Sequence, residues 1–453
     1  MTGIGTEAAQ GAQTGGGDAD PDALLGTPPD EPLTEAETAL EIADIAQPSS
    51  LLGVFRHRNY RLFFAGQLVS LMGSWMQNTA QPWLVYDLTH DKFLLGVVSF
   101  CSTVPVFFIT PFGGMVADRV DRRKFLLITQ SAAMLQAAVL AALTLLHMVQ
   151  VWQIVCLALT MGLINAFDIP TRQSMTLDMV GRGDLRHAIS LNSMMFNGAR
   201  IVGPTLAGLL IYAVGEGICF AINAASFAAV LLSLVLMKLA ARPPRINQNA
   251  LREVLEGYRY SFATPQIRIS LMLVAVSSLF GAAFVTMMPA VARDLIHGNS
   301  TTQGTLMSSI GAGALVGAFF LSRITEKQLA LAPVLAGAAF GIGLILFSHS
   351  HHLWLSAALL LPTSASLMLL GGTTNTIIQM VAAENFRGRV ISHYTQSFLG
   401  MMPWGALLLG ALAARLGVTD AISIGGAAVV AAALYAFYSR RAGGFTVRHA
   451  PAA

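Results

Sequence analysis

Charge is what this 453-residue chain has least of: Asp, Glu, Lys and Arg together make up 11% of it, against roughly 25% in a soluble domain. With 54% hydrophobic residues, that shortage excludes a body that folds with water as its only solvent. Bases are absent from the first fifty residues, which hold ten Asp or Glu. From that acidic, Gly-rich start no secretory leader is expected, since a leader is basic and then apolar. Cysteine is limited to Cys101, Cys156 and Cys219, each inside an apolar stretch and without metal-ligand spacing, so inert buried thiols are expected. No Lys follows a Gly, which rules out a Gly-Lys-Ser/Thr phosphate loop and direct use of ATP by that route. His-Glu-x-x-His is missing, and no His-Asp or Ser-His constellation marks one membrane face, as a membrane-embedded acyltransferase would need. His349, His351 and His352 cluster in a loop without acidic or thiol companions, so no metal or other cofactor is expected.

What the chain does have is apolar runs of the length that crosses a bilayer, about 20 residues each. They fall near residues 60–86, 93–117, 124–147, 150–171, 187–213, 217–239, 268–292, 303–323, 328–348, 351–382, 389–415 and 420–439. Between the sixth and seventh lies a polar link with Pro243-Pro244 and an amphipathic stretch, Leu251 to Phe262. The expected organisation is an acidic disordered tail over 1–50 with a short helix near Leu33–Ala46, a six-helix half over 51–240, a linker over 241–266, a second half over 267–440 and a tail over 441–453. With the N-terminus inside, the inner loops and tails hold 23 Lys and Arg. The outer side holds Lys92, Arg293 and Arg415, and Arg200 falls within a span. That asymmetry predicts both termini in the cytoplasm and explains the basic balance without nucleic acid.

The halves repeat. An offset of 202 places Ile189, Ser190, Phe196, Gly198, Gly203, Leu206, Gly208 and Leu210 on Ile391, Ser392, Phe398, Gly400, Gly405, Leu408, Gly410 and Leu412. An offset of 207 places Arg61, Val69, Ser70, Thr79, Pro82, Asp87 and Leu88 on Arg268, Val276, Ser277, Thr286, Pro289, Asp294 and Leu295. Six plus six spans make the repeats parallel in the membrane, an arrangement that places a substrate site between them near the bilayer midplane.

Two motifs carry more. Between spans 2 and 3 stands Gly114-Met115-Val116-Ala117-Asp118-Arg119-Val120-Asp121-Arg122-Arg123-Lys124, which resembles the loop signature of the major facilitator superfamily, with Asp121 where the family commonly has Gly. On span 5, Gly198-Ala199-Arg200-Ile201-Val202-Gly203-Pro204-Thr205-Leu206-Ala207-Gly208 resembles the exporter motif of that superfamily. Small residues there let helices approach closely, and Pro204 removes a backbone donor. Residues 55–61, 166–173 and 188–193 give the chain a resemblance to the enterobactin-exporter and multidrug-efflux branch over roughly 51–440.

The resemblance implies an all-α membrane protein with the major facilitator fold, twelve transmembrane helices in two pseudo-symmetric six-helix halves. It implies proton-driven export of small lipophilic or siderophore-like compounds across the inner membrane, with no enzymatic step. Gly114, Asp118, Arg119, Arg122 and Arg123 would lock the cytoplasmic gate. Gly198, Gly203, Pro204 and Gly208 would form a bend, or simply a tight packing face. Helices 1, 4, 5, 7, 10 and 11 would line the cavity. Rival readings are a lysophospholipid transporter or flippase of the same fold and a sensor that no longer moves substrate.

Arg200 lies about 13 residues into span 5, where a charge needs a partner or a cavity. Pairing with Asp168 and contact with substrate are both open, and Asp168 is the available candidate for coupling to protons. The amides Gln77, Asn78, Gln81, Asn165 and Gln379 either bond between helices or face a cavity. Reporter fusions at the two ends are expected to read out on the cytoplasmic face at both; opposite faces would break the twelve-span assignment.

Overall fold

In the computed structural model the chain is described over residues 51–238 and 259–439, apart from the side chains at 111, 114, 115, 117–119, 182 and 385. The expected helix near Leu33–Ala46 and most of the amphipathic link lie outside those residues. Lipid offers the backbone no hydrogen bonds, so each apolar run satisfies its own N–H and C=O groups as helix. The helices are α1 Arg58–Thr89, α2 Lys92–Arg119 and α3 Arg122–Leu145. Next come α4 Val151–Gly181, α5 Gly183–Val214, α6 Glu216–Leu236 and α7 Pro265–Leu295. The second half continues with α8 Ser300–Leu321, α9 Ala332–Ser348, α10 Leu353–Val381, α11 Arg387–Leu416 and α12 Val418–Ser439. Ten of these are long and apolar enough to cross a membrane; α9, at 17 residues, is shorter, and α1, at 32, is interrupted by polar side chains.

Caps set the ends. Asp91 accepts from the Phe93 N–H, and Asp121 accepts from the N–H groups of Arg123 and Lys124 at 3.0 and 3.2 Å. Asp121 therefore suits the position where the family commonly has Gly: the turn needs an N-cap with extended backbone (φ −62°, ψ 106°), which Asp supplies. The α5–α6 and α11–α12 turns use Gly215 (φ 86°) and Gly417 (φ 91°), a left-handed conformation that favours glycine, again 202 residues apart.

Packing repeats as the sequence does. In the first half α1 packs on α5 and α6, α2 on α4, and α3 on α4 and α6. The second half repeats these contacts as α7 on α11 and α12, α8 on α10, and α9 on α10 and α12. The main seams between the halves are α5 with α8 and α2 with α11, which a twofold exchange interconverts.

Two expectations need correction, and one helix departs from regular geometry. Helix α4 runs past 171 to Gly181 (φ 73°), because a helix ends where its backbone turns rather than where the apolar run stops. Helix α7 is irregular, with π turns at Ser277–Gly281 and Val291–Leu295 and a 3-10 turn at Ala282–Met287. Cys219 alone of the three cysteines is buried; Cys101 is half-buried and Cys156 exposed.

Without a hydrophobic drive between helices in lipid, close backbone approach supplies the attraction. A Cβ at Gly405 would lie 2.1 Å from the Leu279 carbonyl oxygen, so α11 meets α7 backbone to backbone. Gly405→Val is therefore expected to destabilise the purified protein by roughly 1–3 kcal/mol. Gly388→Ala, where a Cβ meets nothing within 4 Å, is expected to leave its melting temperature unchanged or raised. Equal melting temperatures for both variants would contradict this packing.

Candidate translocation site

Among the described residues, the close approaches along the two seams run from one end to about the middle of the helices. Lys92, Arg293 and Arg415 mark that end, called here the sparse end, and the opposite one is the basic end. On the α5–α8 seam, the Ser300 hydroxyl donates to the Gly208 carbonyl at 3.0 Å, and Ser308 donates to the Ile201 carbonyl at 2.6 Å. Gly304 faces the Pro204 carbonyl, and Gly311 faces that of Arg200. On the α2–α11 seam, Gly96 faces the Ala406 carbonyl and Gly400 meets the Phe107 ring. The Gln303 amide also donates to the Thr79 carbonyl at 3.1 Å.

A charged clasp crowns the sparse end. Arg293 pairs with Asp87, while Asp294 receives the Tyr86 hydroxyl at 2.5 Å and the Lys92 ammonium at 3.1 Å. Asp87 and Asp294 are repeat equivalents. Each is bonded by the residue that precedes its equivalent in the other half, so the clasp is reciprocal. Its residues escaped the site expected from sequence, although the Asp87–Asp294 match was visible there.

The ion pairs found at the basic end among the described residues stay within the first half: Arg122 with Asp178 at 2.8 Å, Lys124 with Asp121 at 3.9 Å, and Asp184 with Arg56 at 3.0 Å and His57 at 2.7 Å. Carboxylates inside a link that topology needs only to be basic were the available signal for Asp178 and Asp184. Helix segment Arg387–Leu399 likewise packs on elements of its own half.

The expected site residues separate accordingly. Gly114, Asp118 and Arg119 end α2 at the basic end, and their side chains lie outside the described residues. Arg123 donates to the Leu234 and Val235 carbonyls at 2.6 and 2.7 Å, capping the end of α6. Gly203 and Gly208 make the close approaches expected of them, to Trp75 and to Ser300. Gly198 does not, since a Cβ there meets nothing within 4 Å. Helical dihedral angles continue through Pro204; within Val151–Val214 the break is at Gly181.

Asp168 is not Arg200's partner. It pairs with Arg172 at 3.1 Å and accepts from Thr129 and Gln130 at 2.9 and 2.7 Å, buried between α3 and α4. The i,i+4 spacing to Arg172 gives a nearer cation than one 32 positions away. Gln77 is buried in a chain linking α1, α3 and α6, donating to Gln136 and accepting from Asn223 at 2.7 Å, so it bonds between helices. Asn78 is exposed, while Gln81 and Asn165 are half-buried. Gln379 is exposed and donates to Asn375 at 3.2 Å. Arg200 is half-buried, with its guanidinium carbon 6.0 Å from the Trp75 ring centre.

The clasp yields an expectation. Partly exposed ion pairs contribute up to about 1 kcal/mol each. Asp87→Arg or Arg293→Asp alone is expected to raise cysteine labelling of the seam from the sparse end severalfold, and the two together to restore protection. Unchanged labelling in both single variants would show that the clasp does not hold the seam.

A family model described as transmembrane secretion effector matches residues 49–444. The staphyloferrin A transporter of Staphylococcus aureus (strain NCTC 8325 / PS 47) is 24% identical over 392 residues, covering 84% of this chain and 96% of that protein. The multidrug efflux pump Tap of Mycolicibacterium fortuitum is 24% identical over 368 residues, 79% and 90% of the two chains. The enterobactin exporter EntS of Salmonella typhi is 23% identical over 378 residues, 83% and 90% of the two chains. Among solved structures, a mutant of the nucleoside transporter NupG matches with a TM-score of 0.66 at 15% identity, covering 84% of this chain and 99% of that one. With helices that repeat in two halves and a family match over most of its length, the chain belongs to the transmembrane secretion effectors of the major facilitator superfamily.

Proposed function

We propose that this protein is a secondary active exporter of small molecules, of the siderophore or drug kind, working by alternating access in the inner membrane. All twelve helices cross the bilayer, both termini are cytoplasmic, and the halves are those over 51–240 and 267–440. The observation that carries this reading is the clasp: Asp87 with Arg293 and Tyr86 with Asp294 tie the two halves together across the sparse end. With bases inside, the clasp closes the outer face and the pocket opens to the cytoplasm, the state that loads an export substrate. Asn78, Gln81, Asn165, Arg200 and Gln379 line it.

Release requires the clasp to part and the basic end to close. Gly114, Asp118, Arg119, Arg122 and Arg123 lock the closed basic end, and the Gly198–Gly208 stretch is where α5 pivots on α8. The relatives point to the same chemistry, since one bears the name of a siderophore transporter, one of a siderophore exporter and one of a drug pump. Proton entry drives the cycle through Asp168, a carboxylate buried between α3 and α4.

The test is accumulation of a fluorescent drug in inside-out vesicles under a proton gradient. Uptake is expected to collapse on adding an uncoupler, and to fall to background in Asp168→Asn despite normal membrane insertion. Movement of labelled lysophospholipid alone, or drug uptake indifferent to the gradient, would overturn the reading.

A further inference from the structure

Arg200 stands outside the charge pairs of the described residues. Asp168 has Arg172, Arg122 has Asp178, and Asp87, Lys92, Arg293 and Asp294 share the clasp. Arg200 forms no ion pair or side-chain hydrogen bond among the described residues, and its guanidinium lies over the Trp75 ring. It stands 14 positions before the end of α5 at Val214, about 21 Å along the helix. A guanidinium carries five N–H donors, and holding it at that depth without a counter-charge costs at least a few kcal/mol.

Its place in the seam is equally specific. The Arg200 carbonyl makes the close contact with Gly311, and the α5–α8 approaches run from there to the sparse end. Two residues before it, towards the basic end, Gly198 faces open space. Arg200 thus sits at the innermost of the described α5–α8 close contacts, next to open space. Trp75 is held there by Gly203, whose hydrogens lie against the Trp75 Cβ, and Phe196 stands edge-on to the indole at 5.5 Å. Phe196, Arg200 and Gly203 share one face of α5 by helical spacing.

We infer that Arg200, Trp75 and Phe196 form an anion subsite for a substrate that carries a carboxylate, or another oxyanion, on a planar ring. The oxyanion takes the free guanidinium donors in charge-assisted hydrogen bonds, and the ring lies against the indole and the Phe196 edge. The subsite rests on the exporter reading and narrows it: a lipophilic cation meets a like charge beside the indole and is disfavoured. A substrate oxyanion also supplies the counter-charge that the fold withholds, so binding removes the penalty of the isolated cation.

Two xanthene dyes of similar shape and opposite charge test this, fluorescein and tetramethylrosamine, with the full-length protein in nanodiscs and anisotropy as the readout. Wild-type protein is expected to bind fluorescein more tightly. Arg200→Gln is expected to weaken fluorescein by about tenfold or more and to leave or improve tetramethylrosamine, while Arg200→Lys falls between. Wild-type protein that binds neither dye, or prefers the cation, overturns the subsite, and that comparison needs no variant to fold. Equal weakening of both dyes in Arg200→Gln also overturns it, as a structural role would act on both. Transport of the same dyes in proteoliposomes separates this from the exporter reading. Arg200-dependent binding without transport would sink only the exporter reading. Transport without charge preference would sink only the subsite.

Discussion

The halves of this protein are held together by carbonyl oxygens lying against glycines. In hydrocarbon, apolar side chains gain nothing from leaving lipid for each other, so adhesion comes from the approach of bare backbone. At Gly96, Gly208, Gly304 and Gly311 a missing Cβ is what lets one helix rest on the next across the seam. Contacts of that kind are short-ranged and need no large interlocking side chains to be undone. A seam so made can open and re-form, whereas interdigitated leucines would have to repack.

The charges complement that property. At the sparse end the reciprocal Asp87–Arg293 and Tyr86–Asp294 bonds add a directional closure to the seam. The described ion pairs of the basic end lie inside one half. Arg200 lies between the two ends, beside the innermost glycine contact of the α5–α8 seam.

Much of the architecture was legible in sequence, since lipid forces apolar runs into helices. The duplication was legible because equivalent positions do equivalent work: Asp87 and Asp294 in the clasp, Gly203 and Gly405 at close contacts. What escaped depends on who neighbours whom. Helix α4 continues to Gly181 through a polar stretch that hydropathy reads as loop. The π turns of α7 accompany its Leu279 and Phe280 carbonyls lying against Gly405 and Gly425, which no local pattern announces. Within the site, Arg200 was visible as a charge in a span, but its separation from Asp168 was not, because Arg172 lies one turn away on the same helix. Gln77 and Asn78 are adjacent in sequence, yet one is buried between helices and the other exposed, a difference set by the rotation of α1.

The central claim is that one seam closes as the other end opens. Spin labels on the ends of α2 and α8 in otherwise cysteine-free protein would measure both separations by pulsed electron resonance in nanodiscs. The account predicts two populations in which the distance at the basic end shortens as the distance at the sparse end lengthens, with a proton gradient or bound substrate shifting their ratio. A single invariant distance at each end, or two ends that widen together, would contradict it.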